Sequence, residues 1–138
     1  MTSVEKLSTN QCWELLRSAE VGRLAVIVDD HPEIFPVNYA VDQNTIIFRS
    51  ARGTKVTSAL GDTPVAFEAD GYDPATGLVW SVVIKGQATS FRTLEETIDS
   101  LNVEVHPWQA GKKEHFIRIS PSDITGRRFP RNEPENPQ

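Results

Sequence analysis

Residues 23–50 read RLAVIVDDHPEIFPVNYAVDQNTIIFRS, and apolar runs alternate here with short polar breaks. Three of these runs have the length and the β-branched content of strands, namely Arg23–Val28, Ile34–Val41 and Thr45–Ser50. The breaks, Asp29-Asp30-His31-Pro32 and Asp42-Gln43-Asn44, are typical of tight turns. The stretch therefore predicts an antiparallel meander. Pro36 lies within its second strand, and because proline has no N–H to donate to a neighbouring strand, we expect this part of the strand at an edge or a bulge.

The sequence before this stretch predicts one helix. Ser8 and Gln11 have the spacing of a capping box, and an apolar face at helical spacing follows, ending near Gly22. Its apolar positions are Cys12, Leu15, Leu16 and Ala19.

The sequence after the meander predicts two short helices and three more strands. The helices are expected at 54–60 and 93–100, and the strands at Val65–Asp70, Leu78–Phe91 and Phe116–Ile119, with a bulge near Gly86. Short connections between strands that are apolar on both faces favour a mainly β chain with short helices, closed or partly closed into a small barrel.

Length and composition are those of one soluble domain. The 138 residues carry a formal net charge of −5, which argues against a general nucleic-acid binder. No apolar run approaches the ~20 residues of a membrane span, and the polar start lacks a signal-peptide pattern. The single Cys12 fits a reducing compartment and makes a structural zinc site unfavourable. We expect a cytoplasmic protein with a domain over 1–129, a disordered tail over 130–138, and neither a membrane nor a nucleic-acid partner.

The junction between the third strand and the following helix carries the chemistry of an anion site. Arg49 and Lys55 supply charge, Ser50 and Thr54 supply hydroxyls, and a helix N-terminus supplies free N–H groups. Such a pattern is also typical of a solvated basic surface, and spacing alone leaves both interpretations open.

Other site patterns are weaker or missing. The sequence contains neither a P-loop nor a dinucleotide glycine fingerprint, and its three histidines lack metal-ligand spacing, so we expect no metal. Glu68 and Asp70 share one face of a strand. They are either a pair for acid–base chemistry, or residues of a solvated strand face or partners of nearby arginines. No catalytic residue can be named.

Several short segments, taken in order, resemble the FMN-binding split-barrel family of pyridoxamine 5′-phosphate oxidase, and most of all its nitroimidazole-resistance branch. The segments are Gly22–Ala25, Phe35–Tyr39, Ile47–Ser50, Gly53–Lys55, Val65–Glu68 with Asp70, Trp80–Val83 before Gly86, and Ile124–Arg128. The resemblance implies an antiparallel split β-barrel of Greek-key type and a homodimer with FMN at its interface.

The resemblance also implies roles for individual residues. Pro36, Val37, Asn38 and Tyr39 match the strand beside the flavin ring. Arg49, Ser50, Thr54 and Lys55 match positions at the ribityl chain and phosphate. Trp80 and Ser81 match positions near the ring or ribityl chain, and Arg127 matches a residue that reaches the flavin of the other subunit.

The expected function is an FMN-dependent oxidoreductase acting on a small molecule. The basic substrate motif of the oxidase itself is reduced here to Arg127, Arg128 and Arg131, which disfavours pyridoxamine-phosphate oxidation. Three alternatives stay open: a reductase that uses the deazaflavin F420, a non-catalytic module that binds flavin or haem, and a barrel without a ligand.

Overall fold

The structure, a computed structural model, describes residues 4–50, 63–91 and 115–131. Within these residues one helix, α1, and seven strands follow each other along the chain. Their bounds are β1 Glu5–Lys6, α1 Thr9–Ser18, β2 Val21–Val28, β3 His31–Asp42, β4 Thr45–Ser50, β5 Val65–Asp73, β6 Leu78–Phe91 and β7 His115–Pro130. The helices expected at 54–60 and 93–100 and the tail beyond Arg131 lie outside the described residues.

The helix α1 begins as the sequence predicts. The Ser8 hydroxyl accepts from the Gln11 amide at 3.1 Å, and the Gln11 side chain accepts from the Ser8 amide at 2.8 Å, which completes the capping box. The predicted end at Gly22 is wrong. The helix ends at Ser18, with Ala19 already extended, and Gly22 lies inside β2.

Two tight turns build the meander β2–β3–β4. Asp29 and Asp30 have φ of 52° and 66°, and Gln43 and Asn44 have φ of 50° and 60°. Two successive left-handed residues form a type I′ turn, whose twist matches that of the flanking strands. Each turn leaves an uninterrupted antiparallel ladder, with Val28 opposite His31 in the first hairpin and Asp42 opposite Thr45 in the second.

The described strands close into a ring. Their order is β1-β7-β4-β3-β2-β5-β6, and a further pairing joins β6 back to β7. One edge of β7 pairs with β6, and the other edge pairs first with β4 and later with β1. The predicted antiparallel barrel is thereby observed, with β7 as its closing strand.

The closing strand is longer than predicted. We expected a strand over Phe116–Ile119, whereas β7 runs to Pro130. The sequence Ser120-Pro121-Ser122-Asp123 has the composition of a turn, but the structure accommodates it as a bulge. Lys85 pairs with Asp123 and Gly86 with Pro121, so the bulge predicted near Gly86 is observed there, and its additional residue, Ser122, is on β7.

The barrel interior forms the core, and α1 contributes to it. Among the side chains of very low exposure are Leu16, Leu24, Phe48, Phe67, Val82, Ile84 and Ile117. The outer face remains apolar in places, because Val21 and Ile27 are each 48% exposed and Ile34 is 66% exposed. No helix among the described residues has the length and hydropathy needed to cross a membrane.

Candidate functional site at the split of the barrel

The strand β3 changes partners along its length. From His31 to Asn38 it pairs with β2, and from Tyr39 to Asp42 it pairs with β4. Within the described ranges, the edge of Pro36–Asn38 that faces away from β2 has no strand partner. We call this edge the open edge.

The register determines which backbone groups point to the open edge. The Tyr39 amide donates to the Glu20 carbonyl at 3.0 Å, so its backbone faces the β2 side. Because backbone groups alternate along an antiparallel strand, those of Asn38 and Pro36 face the opposite side. The open edge therefore presents the N–H and C=O of Asn38 and the C=O of Pro36. Proline carries no N–H, so position 36 leaves no donor unsatisfied there.

The strand β4 provides the facing side. Its ladder with β3 ends at the pair Tyr39–Phe48, while Arg49 and Ser50 continue and, among the described strands, pair with β7. By the same alternation, the backbone of Arg49 faces the open edge of β3. We call the place between Pro36–Asn38 and Arg49–Ser50, where these strands are no longer paired, the split.

The predicted ring-edge and ribityl residues thus belong to two neighbouring strands that separate beside them. Pro36 and Asn38 are exposed, and Val37 and Arg49 are half-buried. Thr54 and Lys55, the predicted phosphate pair, lie outside the described residues.

Tyr39 differs from its neighbours in this segment. Its side chain is 6% exposed and points into the core, where the ring meets Phe67 edge-to-face at 5.0 Å and 73°. The phenol donates to the Leu16 carbonyl of α1 at 2.6 Å. Burial raises the pKa of this phenol, so it remains a donor. A ligand at the open edge would meet the backbone beside Tyr39 and not its side chain.

A charged cluster lies beside Pro36 on the outer face of the barrel. Arg23, directly opposite Pro36 on β2, contacts Glu68 at 2.6 Å and Asp70 at 2.8 Å. The Ser81 hydroxyl lies 3.4 Å from the second Glu68 oxygen. Burial raises the pKa of the Glu68 carboxyl, the adjacent Asp70 carboxyl raises it further, and Arg23 opposes both. Of the two interpretations of Glu68 and Asp70, the structure supports arginine pairing.

The remaining predicted residues belong to β6 and β7, which contribute neither side of the split. Trp80 is 8% exposed, and its indole packs against Gly71, where no side chain would fit. Ser81 and Arg127 are paired neighbours on β6 and β7. The strands β2 and β5 separate β3 from β6 on one side of the ring, and β4 separates it from β7 on the other.

Sequence reasoning missed the residues that support the split from behind. Gly22 is opposite Val37, and the Phe67 ring occupies the space that a side chain at position 22 would need. A glycine within an apolar strand pattern indicates such a close approach. That signal was available, but Gly22 was interpreted as the end of a helix.

Relatives of this chain are found among solved structures. An FAD-binding protein from Mycobacterium smegmatis is 41% identical, with a TM-score of 0.81 over 91% of this chain and 98% of that one. A proposed 5-nitroimidazole antibiotic resistance protein from Bacteroides thetaiotaomicron has a TM-score of 0.74 over 94% and 91% of the two chains. It is 10% identical, so this likeness shows the fold alone.

The sequence comparisons give the family. An uncharacterised protein of Mycobacterium tuberculosis is 32% identical over 131 residues, which are 91% of this chain and 86% of that protein. The family model described as pyridoxamine 5′-phosphate oxidase matches residues 8–128. The predicted family and the split-barrel fold are confirmed: this chain belongs to the pyridoxamine 5′-phosphate oxidase family.

Proposed function

We propose that this protein is a flavin-dependent oxidoreductase that holds its flavin at the split of the barrel. The open edge of β3 carries the proposal. It offers one N–H and two C=O groups, and the pyrimidine edge of an isoalloxazine ring has the complementary N–H and carbonyl groups. Bound there, the flavin would supply the electron chemistry, while the chain binds and orients it.

The part of the ligand that we assign to the split is common to FMN and FAD. The ring and ribityl chain would lie along Pro36–Asn38 and Arg49, with the first phosphate toward Ser50, Thr54 and Lys55. The sequence resemblance favours FMN, whereas the relative from M. smegmatis is an FAD-binding protein. Arg49 adds a cation on the side where a phosphate is expected.

The first test is the visible spectrum of the freshly purified protein, followed by mass analysis of the released small molecule. A flavin spectrum with the mass of FMN or FAD supports the proposal and decides between them. A colourless protein that stays colourless with added FMN and FAD overturns it. If F420 binds more tightly than FMN and FAD in a parallel titration, the cofactor is the deazaflavin and not a flavin.

The phosphate assignment has its own test. Lys55→Ala should weaken flavin binding by about 1.5–3 kcal/mol, the range for a hydrogen bond to a charged group. The matched control is Lys85→Ala, since Lys85 is exposed on β6. Equal loss of affinity in both variants would indicate a general charge effect, and an unchanged affinity in Lys55→Ala would remove Lys55 from the site.

The enzyme class is tested by the redox behaviour of the bound flavin. Reduction by NADH or NADPH, followed by reoxidation with a small-molecule acceptor, is the expected result. If neither nucleotide reduces the flavin and the chemically reduced flavin passes electrons to no acceptor, the protein is a binding module.

We further propose that the working unit is a homodimer in the cytoplasm. Ser81 and Arg127 belong to β6 and β7, neither of which contributes a side of the split, and the resemblance implies that Arg127 reaches the flavin of a second copy. The exposed Ile34 lies on β3 two residues before Pro36, the exposed Val21 is the β2 register partner of Asn38, and this contact would cover both.

Ile34→Glu tests the dimer, and Gln87→Glu, which adds the same single negative charge at an exposed position of β6, is the control for altered surface charge. The expected result is a monomer by analytical ultracentrifugation with weaker flavin binding. A wild-type monomer that binds flavin fully would overturn the homodimer and leave the flavin site standing.

A further inference from the structure

Tyr39 stands at the point where β3 leaves β2 and joins β4. Its amide still bonds on the β2 side, to Glu20, while its register partner Phe48 is the last pair of the β4 ladder. The open edge begins one residue earlier, at Asn38. Tyr39 is therefore the paired residue next to one side of the split.

We propose that Tyr39 is a positioning residue of the split: its phenol, bonded to the end of α1, fixes the place of the open edge. The proposal rests on the proposed function, because the position of this edge matters for binding only if a ligand meets it. It adds to that function a side chain that acts from the core without touching the flavin.

The helix end needs the partner that Tyr39 provides. The last four carbonyls of a helix have no partner within the helix. Ser18 donates its hydroxyl to the Leu15 carbonyl at 2.7 Å, and Tyr39 donates to the Leu16 carbonyl at 2.6 Å. The helix ends with Ala19 in an extended conformation, so its end has no left-handed glycine cap. The bond to Tyr39 consequently ties β3 to a rigid element.

The Tyr39 ring is held in place from the opposite side. Phe67 packs its ring against Tyr39 edge-to-face, and its far end fills the space over Gly22. Gly22 is the register partner of Val37, in the middle of the open-edge segment. The phenol bond and the Phe67 contact thus fix Tyr39 on two sides directly beneath the split.

Tyr39→Phe is the informative change, because it removes the phenol bond and retains the ring. The control is Tyr72→Phe, since Tyr72 is the other tyrosine and is 44% exposed on β5. The first readout is hydrogen exchange of the amides of residues 37 and 39, with the β5–β6 ladder as internal reference. We expect Tyr39→Phe to accelerate this exchange about three- to tenfold, the range for the loss of one hydrogen bond, and to leave the reference unchanged.

The second readout is the dissociation constant for FMN and for FAD, with the visible circular dichroism of the bound ring. In Tyr39→Phe the open edge must be ordered when the flavin binds. We therefore expect the dissociation constant to rise about three- to tenfold and the circular dichroism of the ring to change. Tyr72→Phe should alter neither.

Each outcome decides the proposal. The proposal is overturned if Tyr39→Phe leaves the amide exchange of residues 37 and 39 unchanged. It is also overturned if Tyr39→Phe lowers the stability of the protein but keeps the wild-type flavin affinity and ring spectrum. If the wild-type protein binds no flavin, the proposed function fails by itself, and the exchange measurement still shows whether Tyr39 fixes the edge.

Discussion

The two halves of β3 have the same backbone and different neighbours. Positions 40 and 42 have their backbone groups bonded to β4, whereas positions 36 and 38, of the same parity, face the split. The sequence follows this difference: proline and an exposed asparagine occupy the open half, and alanine and a half-buried aspartate occupy the paired half. One strand can thus serve as wall of the barrel in one half and as binding edge in the other.

The largest effect should come from the residue beneath the junction of the two halves. Phe67→Ala removes a fully buried ring that contacts both Tyr39 and the space over Gly22. We expect a loss of about 3–5 kcal/mol in the free energy of unfolding, measured by denaturant titration. Tyr72→Ala, at an exposed aromatic of the same strand, should cost far less. A similar cost for both would mean that the junction has no special packing.

A proline placed in the paired half tests the comparison directly. Ala40→Pro removes the N–H that faces Ile47 on β4 and leaves a buried carbonyl without its donor. We expect a loss of about 1–3 kcal/mol. The reciprocal change Pro36→Ala should cost less than about 1 kcal/mol, since it alters only the freedom of the unfolded chain. Equal costs would show that the edge at position 36 is not open.

The side chains at positions 42 and 38 provide a second matched pair. Asp42 accepts from Arg118 at 3.0 Å, and both side chains are more than three-quarters buried. Asp42→Ala should therefore cost about 1–2 kcal/mol, because Arg118 loses this largely buried carboxylate partner. Asn38→Ala should stay within about 0.5 kcal/mol. A destabilising Asn38→Ala would assign this side chain a role in the fold.

The smallest effect concerns the charged cluster beside the open half. Glu68 has a raised pKa in the folded protein, so its proton stabilises the fold at acid pH, and this contribution is lost as the pH rises through the folded pKa. The free energy of unfolding of the wild type and of Glu68→Gln is measured from pH 4 to pH 7. As the pH rises, the wild type should lose stability relative to Glu68→Gln. A difference that is constant with pH would contradict the raised pKa.

The sequence predicts the paired parts of this fold better than the places where pairing changes. Thr45–Ser50 and Leu78–Phe91 were predicted with the bounds that the structure has, because their apolar runs end at clear turn residues. The extension of β7 through Pro121 was missed, since the residues of a bulge have the composition of a turn. Local composition does not reveal which distant strand lies opposite.

The candidate site shows the same limit. Pro36–Tyr39 was predicted by resemblance, and Arg49 and Ser50 were predicted by their anion-site chemistry as well. The meeting of these segments at an interrupted ladder depends on the β3–β4 register, which neither kind of reasoning gives. The inward role of the Tyr39 phenol was also hidden, because its partner at Leu16 is 23 residues away. Helical and strand periodicity identify the buried face of each element and give no information on which carbonyl a buried hydroxyl will reach.

The position of β7 also has a consequence for biosynthesis. Among the described strands, β7 closes the ring, because it pairs with β4, β6 and β1. During translation, β2 to β6 can form their ladders one after another, but β4 and β6 keep unsatisfied edges until residues 115–130 have left the ribosome. The nascent chain is therefore most exposed to aggregation late in its synthesis, and a ribosomal pause before residue 115 would extend that period.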